Sequence, residues 1–281
     1  MVIRNAIDSF LTKLERRFGE TNLDHRHTLF LGLSFLLLMY IGVFLVDIKN
    51  IFGLRALFHG RTVPALWDLL FTEAGPVELV QWFFLGGLTV ISGLISGRLR
   101  ERGEHRKSRF WLFFSIAGFL FLMEDAGNVR HFFLRNLFAL DWTVLNVLET
   151  LYFGLLAFFP VYAVVRFGKD IVGKNITTKL LIIGFIFYGS AAVLSGPLEA
   201  TEYDWRLGDG IYNIMVGVGG EELRELYEDA DQRILELERE RGVTMMDVRT
   251  RLVDYPVEES LELMGVVFLV SSALSYKKEV F

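Results

Sequence analysis

The chain has 281 residues, 52% of them hydrophobic, a formal charge of −5 and no cysteine. Its mean hydropathy of +0.39 is too high for an ordinary soluble domain. The charge excludes a strongly basic nucleic-acid binder, and the missing cysteines exclude disulfides, thiolate metal sites and cysteine nucleophiles.

In chain order, Ile3, Ile7, Phe10, Leu14 and Phe18 recur at helical spacing with Arg4, Lys13, Arg16 and Arg17 between them. That pattern predicts a basic amphipathic helix on the membrane surface, within a cytoplasmic leader over 1–27. The first apolar run, 28–46, has no small-residue cleavage site behind it and reads as a retained span rather than a signal peptide. Residues 49–76, around Pro64 and Trp67, form an interfacial segment. A second span covers 78–97, where Gly86, Gly87, Gly93 and Gly97 let a neighbouring helix come close. The link 98–109 holds Arg98, Arg100, Arg102, Arg106, Lys107 and Arg109, the densest basic cluster in the chain.

A third span starts at Phe110 and meets Glu124 and Asp125 after roughly 14 residues, about 21 Å of helix at the usual rise. A hydrocarbon core of about 30 Å needs roughly 20 residues, so the acidic pair is drawn into the bilayer or into a polar cavity within it. The fourth span, 143–165, contains Asn146, Glu149 and Pro160. A basic link over 169–179 leads to the fifth span, 180–198, which makes 28–199 the block of the first five spans. Residues 200–254 form the sizeable polar segment. In it a Gly-rich piece, 206–220, precedes an amphipathic helix over 221–241 with Leu223, Tyr227, Ala230, Ile234 and Leu237 as its stripe. The block 255–281 holds a sixth span, 257–276, and a basic tail. The expected fold is all-α: a six-span transmembrane helix bundle with one outer amphipathic helix.

Positive residues gather in the leader, in two links and at the C-terminus. By the positive-inside rule both termini face the cytoplasm of a multi-pass cell-membrane protein. The membrane-level carboxylates then fall toward the opposite face: Glu78, Glu124, Asp125, Glu149, Glu199, Glu258, Glu259 and Glu262. Glu258/Glu262 and Glu259/Glu262 are four and three residues apart, so each pair shares a helix face. Carboxylates with His131 as a nitrogen donor suit a hard or borderline divalent metal ion, and the expected ligands are Asp125, His131, Glu149, Glu258, Glu259 and Glu262. Glu124, Asp125, Glu149 and Glu262 are the expected catalytic carboxylates, supported by Glu78, Asn128, Arg130, Asn146 and Glu199.

The runs FLMEDAGNVRH and EESLELMG resemble a group of uncharacterised prokaryotic membrane proteins with an acid-acid…His segment and a closing EExxE helix. The resemblance covers spans three to six and implies a fold, not an activity. Three functions fit the residues. The first is a metal-dependent hydrolase or transferase acting on a membrane-proximal substrate, and the second a proton- or cation-coupled transporter. The third is a non-enzymatic assembly or scaffold protein offering 221–241 to a partner protein. The lipid bilayer is a partner in all three, and nucleic acid in none.

Overall fold

The computed structural model describes residues 24–127, 142–171, 173, 175–194, 202–241 and 245–281, and no strand occurs among them. Helix α1 (His25–Val43) continues through a π turn (Phe44–Ile48) to a 3-10 helix (Ile51–Phe58) and the short α2 (Leu66–Phe71). Long helices follow: α3 (Pro76–Glu101), α4 (His105–Gly127), α5 (Trp142–Phe167) and α6 (Asn175–Leu194). Then come α7 (Glu202–Gly219), α8 (Glu221–Arg241), α9 (Val248–Leu252) with a π turn to Val257, and α10 (Glu258–Val280). In lipid each backbone polar group must be satisfied within its own segment, which is why apolar runs of this length are helical. Pro76 at the start of α3 gives up an N–H that has no intrahelical partner there. Gly103 and Gly220, both at positive φ, make the tight breaks between α3 and α4 and between α7 and α8.

Among the described residues, five segments are long and apolar enough to cross a membrane: His25–Ile48, Leu66–Glu101, His105–Gly127, Leu151–Asp170 and Ile176–Leu194. By this measure there are five spans where the sequence predicts six, and α10 is the difference. Glu258 and Glu259 open it and Lys277 and Lys278 close it. At 23 residues it is still about 35 Å long. Its place is the centre of the bundle, packed against α1, α3 and α6, with Leu263, Val266, Val267, Leu269, Val270, Ala273 and Leu274 buried. The outer helices turn apolar side chains outward instead: Phe30, Leu31, Leu37 and Leu38 on α1, and Val147, Leu151, Leu155 and Val165 on α5. Such a surface is matched to lipid.

Two glycines set the α6–α10 distance. A Cβ on Gly265 would sit 2.7 Å from the backbone nitrogen of Tyr188, and one on Gly184 would meet Leu269 at 2.8 Å. Between α3 and α4, Gly93 faces Ser115, whose hydroxyl donates to the Thr89 carbonyl at 2.8 Å. Helix α5 rests on α4, whereas α6 rests on α10. A cleft therefore separates α5 from α6.

One end of the bundle carries a cap built from the 44–71 segment and α7–α9. Buried Asp47 accepts the Leu66 and Trp67 amides at 2.7 and 2.9 Å, satisfying the first N–H groups of α2. Buried Arg55 donates to the Asp47 carbonyl and to Glu222, and Trp67 Nε1 donates to Tyr227 Oη at 3.0 Å. These bonds fasten α8 to the bundle. Its buried stripe is Leu223, Tyr227, Ala230 and Ile234, with Leu237 half-buried. The Gly-rich 206–220 piece is largely helix α7. Its apolar residues Ile211, Tyr212, Met215 and Val216 recur at helical spacing, and Gly208 lies against the Arg249 backbone. The glycine there serves close packing.

Candidate functional site

Where α3, α4 and α10 meet, next to the cap, their end turns bring carboxyl groups together. Glu78 and Gln81 are three residues apart on α3 and so project from one face. Glu124 and Asp125 end α4 because the apolar run stops short of a full span. Glu259 and Glu262 share a face in the first turns of α10. Tyr188 is delivered by α6 through its close approach at Gly265.

The centre of the cluster is Gln81, with 0% of its surface exposed. Its Nε2 donates to Asp125 Oδ2 at 2.7 Å and to Glu262 Oε2 at 2.6 Å. A primary amide has two N–H bonds, and both are used to bridge two carboxyl groups from different helices. Gln81 Oε1 and Glu259 Oε2 are buried acceptors with no hydrogen-bond partner among the described residues. Unpaired buried acceptors are costly and mark places where a proton, a water or a cationic donor belongs. Glu78, 7% exposed, accepts the Ala74 amide and holds the turn that enters α3 with Ala74 in a left-handed conformation. Glu78, Glu124 and Glu262 all act electrostatically on Asp125, and Glu78, Glu258 and Glu262 on Glu259.

Beside the cluster lies the α5–α6 cleft, a cavity of about 600 Å³. Glu124, Asp125, Glu262 and Tyr188 line one end, and the remaining lining is apolar, including Phe121, Phe153, Val161 and Phe185.

The comparisons supply no family. The chain matches no known family, no curated protein and no solved structure.

Of the residues expected at the site, Glu78, Glu124, Asp125, Glu259 and Glu262 come together, with Glu258 half-buried at the start of α10. Asn128, Arg130, His131 and Glu199 lie outside the described residues. So do the side chains of Asn146 and Glu149, although both positions are on α5. Among the described residues no group of three or more His, Cys, Asp or Glu side chains is arranged to hold a metal ion. The expected ligands His131 and Glu149 fall outside that search. Gln81 and Tyr188 are the site residues that the sequence reading missed. The signal for Gln81 was an amide three residues after Glu78 inside an apolar span. Tyr188, an aromatic residue among aromatic residues, gave none.

Proposed function

We propose that this is a multi-pass membrane protein with a one-sided carboxylate site. The site binds protons or a cationic group of a membrane-resident substrate, in the half of the bilayer away from the cytoplasm. The observation that carries the reading is the Gln81 bridge, flanked by the unpartnered acceptors Gln81 Oε1 and Glu259 Oε2. Carboxyl groups gathered in a low-dielectric setting cannot all remain charged without a compensating cation or proton.

The orientation rests on the basic end of the bundle. Lys278 pairs with Asp24 at 3.1 Å, so α1 begins where α10 ends. Arg106 pairs with Asp170 at 2.9 Å, placing the start of α4 beside the end of α5. The basic 98–109 link belongs to this end, which the positive-inside rule assigns to the cytoplasm.

Hydrolysis or group transfer fits better than transport. Between Gln81 and Ser92 the buried positions of α3 are Leu85, Leu88 and Ile91. Between Glu262 and Ser271, α10 buries Leu263, Val266, Val267, Leu269 and Val270. Among the described residues, that stretch of α3 and α10 carries no ionisable group from the acidic cluster toward the basic end. Of the deeper hydroxyls, Ser96 donates to the Ser108 carbonyl at 2.8 Å and Ser272 to the Thr177 carbonyl at 2.9 Å, while those of Ser92 and Ser271 are buried with no partner among the described residues. A carboxyl group that gains and loses a proton in such a place suits general acid–base work.

The test is labelling with dicyclohexylcarbodiimide, which attacks protonated carboxyl groups in apolar surroundings, together with metal analysis of purified protein. The expected result is adducts on peptides containing Asp125 or Glu262, abolished by Asp125→Asn with Glu262→Gln. Stoichiometric divalent metal without labelling would replace the proton reading with a metal-dependent one. Neither labelling nor metal would sink the site.

A further inference from the structure

We propose that the cleft between α5 and α6 is a lateral binding site for a long-chain amphiphile with a protonated amine head. The chain lies along the cleft and the head sits at Asp125 and Glu262. This rests on the cation-binding reading above and names the class of ligand.

Four observations carry it. First, the cavity, at about 600 Å³, has the size of a small-molecule site. It exists because α5 packs on α4 while α6 packs on α10, leaving the two helices apart. Second, its shape suits a chain. The α5 lining runs from Phe153 to Val165, about 18 Å at the helical rise and close to the depth of one leaflet. Gly154 and Gly189 face it with open space where a side chain would stand.

Third, the cleft is reached from the bilayer. Val161, Val165 and Val193 line it and are also exposed on the lipid-facing surface, so a lipid enters sideways without crossing water. Fourth, the acidic end selects the head. Asp125 and Glu262 line the cavity and are the two carboxyl groups held by Gln81, whose Oε1 is a buried acceptor without a donor among the described residues. An ammonium group carries up to three N–H donors and a positive charge, and forms charge-assisted bonds to these carboxylates. A carboxylate or phosphate head would add negative charge and offer no donor.

The test uses the full chain in phosphatidylglycerol nanodiscs, whose lipids carry no amine. Hexadecylamine, hexadecanol, palmitate and butylamine are titrated, and bound molecules are counted by native mass spectrometry. The expected result is one hexadecylamine per protein, with hexadecanol weaker and butylamine and palmitate unbound. Glu262→Gln should weaken hexadecylamine by about tenfold, the scale of one charge-assisted hydrogen bond. Gly154→Phe, which fills the cleft from α5, should abolish binding, and Gly189→Phe provides a second blocking variant if the first does not fold. Palmitate binding, or hexadecanol binding as tightly as the amine, overturns the proposal. So does amine binding unchanged in the blocked variants, or no binding of any probe. Carbodiimide labelling that persists while hexadecylamine fails to bind refutes the ligand class and leaves the acidic site standing.

Discussion

Gln81 joins two helices that carry negative groups toward each other. Its amide is neutral, so it contributes donors without neutralising the cluster. Gln81→Leu removes both bonds and is expected to cost about 1–3 kcal/mol, the desolvation penalty of a buried group left unpaired. The measurement is the thermal unfolding midpoint in detergent. Gln81→Glu should be worse than Gln81→Leu, because it adds a carboxylate where a donor stood. The reverse order would show that the bridge is not what stabilises this junction. Asp47 shows the opposite solution for a buried carboxylate: its oxygens accept two backbone amides, and Arg55 adds a bond to its own carbonyl. Asp47 therefore has a structural role, while the Gln81 cluster retains unpaired acceptors.

At the scale of elements, the site depends on how closely α6 approaches α10. Gly265→Ala forces a methyl group to within 2.7 Å of the Tyr188 backbone. Neither helix backbone yields without moving its neighbours, so a loss of about 1–3 kcal/mol is expected. A lower unfolding midpoint and faster exchange of the Tyr188 amide would report it. The cap answers to pH through Asp231, which accepts the Val248 amide at 2.8 Å and pairs with Arg249. Burial pushes this carboxyl above its ordinary value of 3.8, against the Val248 bond that favours the charged form. A raised folded value means that the fold prefers the protonated acid. The contribution is complete below the unfolded value and is lost as pH rises through the folded one. The thermal unfolding midpoint should therefore fall across that window, and Asp231→Asn should remove the dependence.

For the whole molecule, the orientation is directly testable because the chain has no cysteine of its own. With single cysteines at two exposed positions, a membrane-impermeant maleimide should label Leu235→Cys in intact cells. It should label Arg102→Cys only after lysis. The opposite pattern would invert the topology and place the acidic site on the cytoplasmic side.

The sequence alone determined the membrane class, the helical fold and the acidic residues at one end of the bundle. Each follows from local quantities: run length against bilayer thickness, helical spacing and the distribution of positive charge. The bounds of α8 were legible for the same reason, since its stripe and its flanking glycines are local signals. Tertiary structure decided what those signals cannot carry. It made α10 the enclosed centre of the bundle, and it set Gly208 of α7 against the backbone of Arg249. It also brought Gln81, 44 residues from Asp125 and 181 from Glu262, into contact with both. Contacts at that separation depend on which helix faces meet, and in lipid, where apolar faces are nearly equivalent, small residues and polar groups make that choice.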